Sequence, residues 1–345
     1  MPPQQRRPGD DDPVSIVDAL EWQAEHVRSL GAAVSGLVLD AVAGDVASQG
    51  ALADVIPQDV RFGDLIGLRV MAAVHRLALE RLAPRVAMHL PTLGGTPPVG
   101  TSAERTFMQA VVVTLLQHPD VLQRSLASVP QTNESGRAAL LRCVLSRLDP
   151  ARPIRLRELG ASAGLNLRSD HLPGEPGLET GPLPSVADRM GCDRSPIDPT
   201  TQEGRITLSS YVWVDDADRF LRLGQALAVA QRVPAMLLRA DAADFAEGLE
   251  LRDGFTTLVW HSAFWVYLPQ RTRDRIDHAM ERLGQRAGAG REFVRATWEW
   301  DAEAGEEESF ALSVQRWGGD AGDGVRRIVA RGRSHGGDSR LVDGD

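Results

Sequence analysis

The segment Glu158-Leu-Gly-Ala-Ser-Ala-Gly164 is where residue type and spacing point most directly to chemistry. A carboxylate closes a short β-prone run, Ile154-Arg-Leu-Arg157, and glycines follow at positions 160 and 164. Glycine lets the chain turn tightly and lets a ligand approach the backbone, and a helix opened by such a turn offers free N–H groups. In open α/β sheets ligands bind at the carboxyl ends of strands, where this loop would lie. The segment does not spell the dinucleotide fingerprint G-x-G-x-x-G. Its plain structural reading is a strand-to-helix turn whose small residues serve packing.

Two other clusters qualify. Trp260-His-Ser-Ala-Phe-Trp-Val-Tyr267 sets His261 and Ser262 into an apolar, aromatic run. An imidazole there can act as a general base near neutral pH, with Ser262, Trp265 and Tyr267 shaping a substrate pocket; the same residues also read as satisfied core. In Gln131-Thr-Asn-Glu134, Thr132 or Asn133 reads as the N-cap of the next helix with Arg137 on its surface; alternatively Asn133 and Glu134 face the mouth of the sheet and contact substrate. Glu303 and Glu306–Glu308 read as a solvated loop. No H-E-x-x-H spacing occurs, and the two cysteines, Cys143 and Cys192, have no zinc spacing, so no metal site is expected.

Gly160-x-Ser162-x-Gly164 also spells the nucleophile elbow of serine hydrolases, with His335 downstream and Asp241 or Asp301 as a third member. Three features oppose it. The 150 residues before the loop read as mostly helical, no H-G-G-G segment precedes it, and His335 stands in a charged, Gly/Ser-rich tail.

The elements that must position these groups fall into two parts. Residues 1–12 are Pro-, Gln-, Arg- and Asp-rich and read as a disordered tail. Residues 13–150 read as an all-α domain. Val17, Leu20, Ala24, Val27, Leu30, Val34 and Leu37 step by three and four, as do Leu65, Leu68, Met71 (or Val70), Val74 and Leu77, then Phe107, Val111 and Leu115, then Ala138, Leu141, Leu145 and Leu148. After Asp149-Pro150 the pattern changes to strand–helix alternation, which implies an α/β domain over 151–332 with a mostly parallel sheet and an antiparallel edge hairpin. Strands are expected at 154–157, 235–239, 255–260, 292–298, 310–317 and 324–330, and helices from Leu165 to about Asp170, from Phe220 to Ala230 and over 270–284. Residues 333–345 read as a loose tail.

Composition narrows the function. All 38 basic residues are arginine. Without lysine there is no pyridoxal Schiff base and no complete G-x-x-x-x-G-K-[ST] phosphate loop. A net charge of -9 argues against a nucleic-acid backbone as the main partner. No apolar run is long enough for a membrane span, and the N-terminus lacks the apolar core of a signal peptide, so a cytoplasmic protein acting on a small molecule is expected.

In motif order the second half resembles the class I S-adenosylmethionine-dependent methyltransferases. Glu158–Gly164 matches their E-x-G-x-x-x-G, Gly191-Cys-Asp-Arg-Ser-Pro196 resembles the end of their second strand, and Ala240-Asp-Ala-Ala-Asp244 resembles their G-D-A-x-D element. The resemblance implies a Rossmann-like methyltransferase-type sheet of seven strands that binds S-adenosylmethionine. Glu158, Gly160, Ser162 and Gly164 would hold its methionine end, Asp193 the ribose and Asp241 the adenine, with His261 as base where the fourth strand opens onto substrate. Two departures stand. Ser162 replaces a glycine, and Asp193 follows Gly160 by 193 − 160 = 33 residues against roughly 20 for the usual ribose carboxylate; the Pro/Gly-rich stretch 171–185 can absorb the excess. No D/N-P-P-Y/W motif follows the fourth strand. The whole chain, from about residue 15 to 335, resembles the bacterial domain-of-unknown-function family 2332 through Gln131–Glu134 with Gly136-Arg137, Glu158–Leu167, Trp260-His-Ser262, Trp265 and Tyr267-Leu-Pro269. That resemblance implies no activity, so a non-catalytic nucleotide- or S-adenosylmethionine-binding module stays open beside the enzyme.

Overall fold

The apolar stripe from Val17 to Leu37 folds as two helices rather than one, Ile16–Ser29 and Ala33–Ala47, because Gly31 takes φ +89° and turns the chain between them. Ser15 caps the first by accepting the Asp18 amide. The computed structural model describes residues 13–301, 309–319, 322–336 and 339–342; the tail expected at 1–12 and the acidic run at Glu303 and Glu306–Glu308 lie outside them. The described residues form two compact units. One comprises those up to Thr132 together with Gln202–Leu221; the other comprises Asn133–Thr201 and those from Arg222 onward.

The first unit is mainly helical. Helices Ile66–Leu79, Thr101–Gln117, Pro119–Ala127 and Gln202–Ser210 join the first two, and Leu39, Met71, Leu77, Phe107 and Leu115 are fully buried. It departs from an all-α unit in one place: β1 (Pro13–Ser15) pairs antiparallel with β2 (Asp59–Arg61).

His75 is fully buried in this unit with both ring nitrogens bonded, Nδ1 to the Val212 carbonyl at 3.0 Å and Nε2 to Thr92 Oγ1 at 3.1 Å. The carbonyl must receive a proton, so the neutral ring donates from Nδ1 and accepts at Nε2. Burial lowers its pKa to about 4. A histidine depressed from 6.5 gives up stability as pH falls through that window, by about 3 kcal/mol. His75→Gln is therefore expected to be less acid-sensitive than the parent between pH 6.5 and 4, measured by urea denaturation.

The second unit is a mixed α/β sandwich. Its strands are β3 (Ile154–Leu159), β4 (Val186–Asp193), β5 (Met236–Arg239), β6 (Thr256–Ser262), β7 (Glu292–Trp300), β8 (Phe310–Trp317), β9 (Arg327–Gly332) and β10 (Arg340–Leu341). They form one eight-stranded sheet in the order β10-β9-β8-β7-β6-β3-β4-β5, with parallel pairing from β7 to β5 and antiparallel pairing across β7-β8-β9-β10. The two-residue β10 brings the sheet to eight strands rather than seven.

Side chains alternate across the sheet. Leu156, Leu258, Trp260, Val294, Ala296 and Trp298 pack on one face with helix Ala138–Leu145. Leu159, Val259 and Phe293 pack on the other with helices Ala242–Glu247 and Gln270–Arg286. Burial on both faces explains why β6 reads as a continuous apolar run without period. The chain leaves β3 for β4 on one side and later lays β6 on the other. The strand order thus reverses between β3 and β6, and the crevice outside their carboxyl ends is where such a sheet takes ligands.

Candidate functional site

Three residues of the glycine loop have left-handed backbone, Gly160 at φ +65°, Ser162 at +52° and Gly164 at +64°. The turn is held from several sides. Asp193, at the end of β4, accepts the Ser162 amide on Oδ2 at 2.9 Å and the Ser195 amide on Oδ1 at 2.8 Å. Asn133 Oδ1 accepts the Leu165 amide at 3.0 Å. Arg168 donates to the Ala163 and Gly164 carbonyls and, through Nε, to the Val233 carbonyl. Ala161 N–H bonds the Cys192 carbonyl and Gly164 N–H the Ala161 carbonyl. Three of the loop's amides and that of the following Leu165 are therefore committed inside the protein, and the loop does not offer the row of free donors that a phosphate cradle needs.

What the loop does offer is a buried carboxyl. Glu158 is 2% exposed; Asn166 donates to its Oε1 at 3.5 Å, and Oε2 has no hydrogen-bond partner. Burial raises its pKa to about 8, against smaller opposing effects of Asn166, Arg137 and Arg168. Asn166 Oδ1 and Trp260 Nε1 are buried without partners as well. Trp260 is the register neighbour of Glu158 on β6, so the two side chains leave the same face of the sheet. Two acceptors and one donor, each buried with no hydrogen-bond partner among the described residues, thus lie on β3, on β6 and on the turn that follows β3, where the strand order reverses. Buried polar atoms are nearly always satisfied in native proteins, so such a group marks a place where a polar partner belongs.

Asn133–Arg137 belong to this same unit. Thr132 and Asn133 do not cap helix Ala138–Leu145. A 3-10 turn at Ser135–Arg137 precedes that helix, and Glu134 caps the turn by accepting the Gly136 amide at 2.9 Å. Asn133 is thereby free to hold the loop at Leu165. Arg137 donates to the Ser262 carbonyl at 3.2 Å and the Ser334 carbonyl at 2.9 Å. Asn133 and Arg137 thus tie the segment to the ends of both β3 and β6.

His261 lies on the opposite face from Glu158, because it is one residue beyond Trp260. It is 1% exposed, and its Nδ1 is 2.7 Å from Glu299 Oε1. Trp265 stacks on its ring at 5.0 Å, and Arg295 lies over the Trp265 ring at 5.2 Å. Tyr267 is 66% exposed on the outer side of the segment that follows β6. Within that segment Ala263 takes φ +45°, and Phe264 lays its ring against Gly160, where even a Cβ would collide with it. Asp241 caps helix Ala242–Glu247 through the Ala243 amide and pairs with Arg194 at 2.9 Å.

The sequence-predicted residues therefore separate into groups. Glu158, Gly160, Ser162, Gly164, Asp193 and Asn133 meet at the loop. His261 and Trp265 meet on the other face, Ser262 ends β6 between the two groups, and Asp241 sits at the end of β5. Two contributors were missed: Asn166, which looked like interior helix sequence, and Glu299, which lay just beyond the strand expected at 292–298. The hydrolase constellation is not assembled. Ser162 Oγ is buried without a partner, His335 lies 3.6 Å from Glu134, and Asp301 pairs with Arg331 at 2.6 Å. Cys192 is inert as a thiol, pushed up to about 12 by burial. A cavity of about 330 Å³ beside Ser135, Gly136, Glu175 and Arg222 has no loop residue in its walls. Among the described residues no group of His, Cys, Asp or Glu could hold a metal, and no helix is long and apolar enough to cross a membrane.

Fold and site define a mixed α/β protein whose candidate ligand crevice lies at a strand-order reversal. The chain belongs to the bacterial family described as "Uncharacterized protein conserved in bacteria (DUF2332)", which matches residues 17–173 and 171–338. No curated protein matches it.

Proposed function

We propose that the crevice at the ends of β3 and β6 binds S-adenosylmethionine and that the protein is a methyltransferase acting on a small molecule. The observation that carries this reading is the unpaired polar group of Glu158 Oε2, Asn166 Oδ1 and Trp260 Nε1 beside a left-handed glycine turn. Its polarity suits an amino-acid end: two acceptors for an ammonium and one donor for a carboxylate. The committed loop amides speak against a pyrophosphate and so against a dinucleotide.

The remaining residues are compatible with the rest of the cofactor. Each Asp193 oxygen accepts one backbone amide and keeps lone-pair capacity for a ribose hydroxyl. Asp241 is partnered by an arginine whose side chain is mostly in solvent and can yield. The strand order, counted from β3, runs 3-2-1-4-5 before its antiparallel edge, the doubly wound pattern that resembles a methyltransferase sheet. When bound, the sulfonium supplies an activated methyl group. The protein's part is then to hold donor and acceptor in line and keep water out, and positioning provides most of the rate.

Calorimetric titration with S-adenosylmethionine and S-adenosylhomocysteine tests this, beside Gly160→Arg with its fold checked by circular dichroism. Micromolar binding to the parent and none to the variant is expected. A folded parent that binds neither compound refutes the reading.

A further inference from the structure

The protein buries two histidines completely, and they are built differently. His75 has both ring nitrogens bonded. His261 has one: Nδ1 meets Glu299, and Nε2 is buried with no partner. Glu299 is a carboxylate near the end of β7 that also accepts the amides of Phe264 and Trp265, each at 3.2 Å. A carboxylate only accepts, so the Nδ1 of a neutral ring carries the proton and Nε2 holds the lone pair. The ring is stacked on Trp265 at 5.0 Å and edged by Phe264 at 6.0 Å, contacts that favour this orientation. An imidazole fixed in one tautomer by a carboxylate, with its basic nitrogen unused, is organised to take a proton.

We propose that His261 is the proton acceptor for the group that receives the methyl, that Glu299 is its positioning residue, and that the acceptor is a hydroxyl compound. This rests on the methyltransferase reading. A hydroxyl is a weak nucleophile until its proton leaves, whereas a neutral amine attacks as it stands and a carbon acid needs a far stronger base. In the step, an oxygen lone pair forms the O–C bond to the methyl group. The S–C bond breaks with its electron pair left on sulfur, so the sulfonium becomes a neutral thioether. The hydroxyl proton passes to Nε2, and the Glu299 charge stabilises the resulting imidazolium. Burial lowers the basicity of His261; Glu299 and Asp277 raise it, and Arg295 lowers it.

Histidine-selective 15N NMR and transfer assays with matched phenols and anilines test the proposal. The parent is expected to show Nε2 without a proton at pH 8 and to methylate phenols in preference to anilines. Glu299→Gln is expected to lower the His261 pKa by about one unit. It should move the pH–rate profile to lower pH by the same amount, with little change in KM. A purely structural Glu299 would not move the profile. A protonated Nε2 in the parent, a profile that ignores the His261 shift, or transfer to anilines alone overturns the inference. Intact S-adenosylmethionine binding without transfer to any phenol overturns it while leaving the cofactor reading in place. Absent binding removes the donor, and the acceptor assignment with it.

Discussion

Glu158→Gln is expected to make the protein more stable at pH 8 and at the same time to cut its affinity for S-adenosylmethionine at least a hundredfold. The stability half follows from linkage. The folded protein keeps the Glu158 carboxyl protonated up to about pH 8, whereas the unfolded chain loses that proton near 4.5. Between those values the folded state binds more protons, so stability falls as pH rises. The ceiling of that loss is on the order of 5 kcal/mol, softened by relaxation and water entering the crevice. His75 and His261, both depressed by burial, act in the opposite sense but only below pH 6.5, which leaves pH 6.5–8 as the window that reports Glu158 alone among the three. Gln is isosteric and cannot ionise. It should match the parent near pH 5, where Glu158 is neutral, and exceed it at pH 8. Thermal melts at the two pH values read this difference. The affinity half follows because a ligand ammonium draws Glu158 into its charged form, with proton release below pH 8, and an amide gives no such charge pair. A variant less stable than the parent at both pH values would show that the carboxyl serves packing and not a ligand.

Much of this site could be read in the sequence because the loop is local. Glu158, Gly160 and Gly164 follow from a strand end and two left-handed positions within seven residues, and Asp193 follows from a carboxylate at the next strand end. What escaped is what depends on distant pairing. Glu299 meets His261 only because β6 and β7 align His261 with Thr297, which brings the end of β7 level with the segment after β6. Nothing within either strand signals that. Asn133 looked like a cap, since Ser, Thr, Asp and Asn before an apolar run usually are. Its side chain instead serves an amide 32 residues away in sequence. The separation of Glu158 and His261 onto opposite faces was also hidden: β6 is covered on both sides, so its hydrophobic pattern carries no sign of which residue faces where. Gln202–Ser210 joined the first unit rather than the sheet for a similar reason, as its partners lie in helix Ile66–Leu79, where Arg76 pairs with Glu203 at 2.5 Å.

Phe264→Ala is expected to raise the affinity for S-adenosylmethionine about tenfold or more, and to speed association, although it deletes an aromatic side chain from the crevice. The Phe264 ring rests on Gly160, the position where a ligand would come closest to the backbone. It is kept there by the hydrogen bond its backbone N–H donates to Glu299 and by a left-handed Ala263, a conformation that costs roughly 1 kcal/mol in a residue with a Cβ. Val266 and Tyr267, two and three residues further on, are 46% and 66% exposed, whereas Phe264 and Trp265 pack against the core on the His261 face. Apparent affinity is the intrinsic affinity scaled by the fraction of molecules in the competent state. A ring that must leave before a ligand reaches Gly160 lowers that fraction, and removing the ring restores it. Stopped-flow binding and calorimetry on parent and Phe264→Ala measure the two quantities. The opposite result, weaker binding with unchanged association, would make Phe264 a wall of the bound state. The closed segment would then already be the conformation that holds the ligand, and the way in would have to pass on the Glu158 face of the sheet.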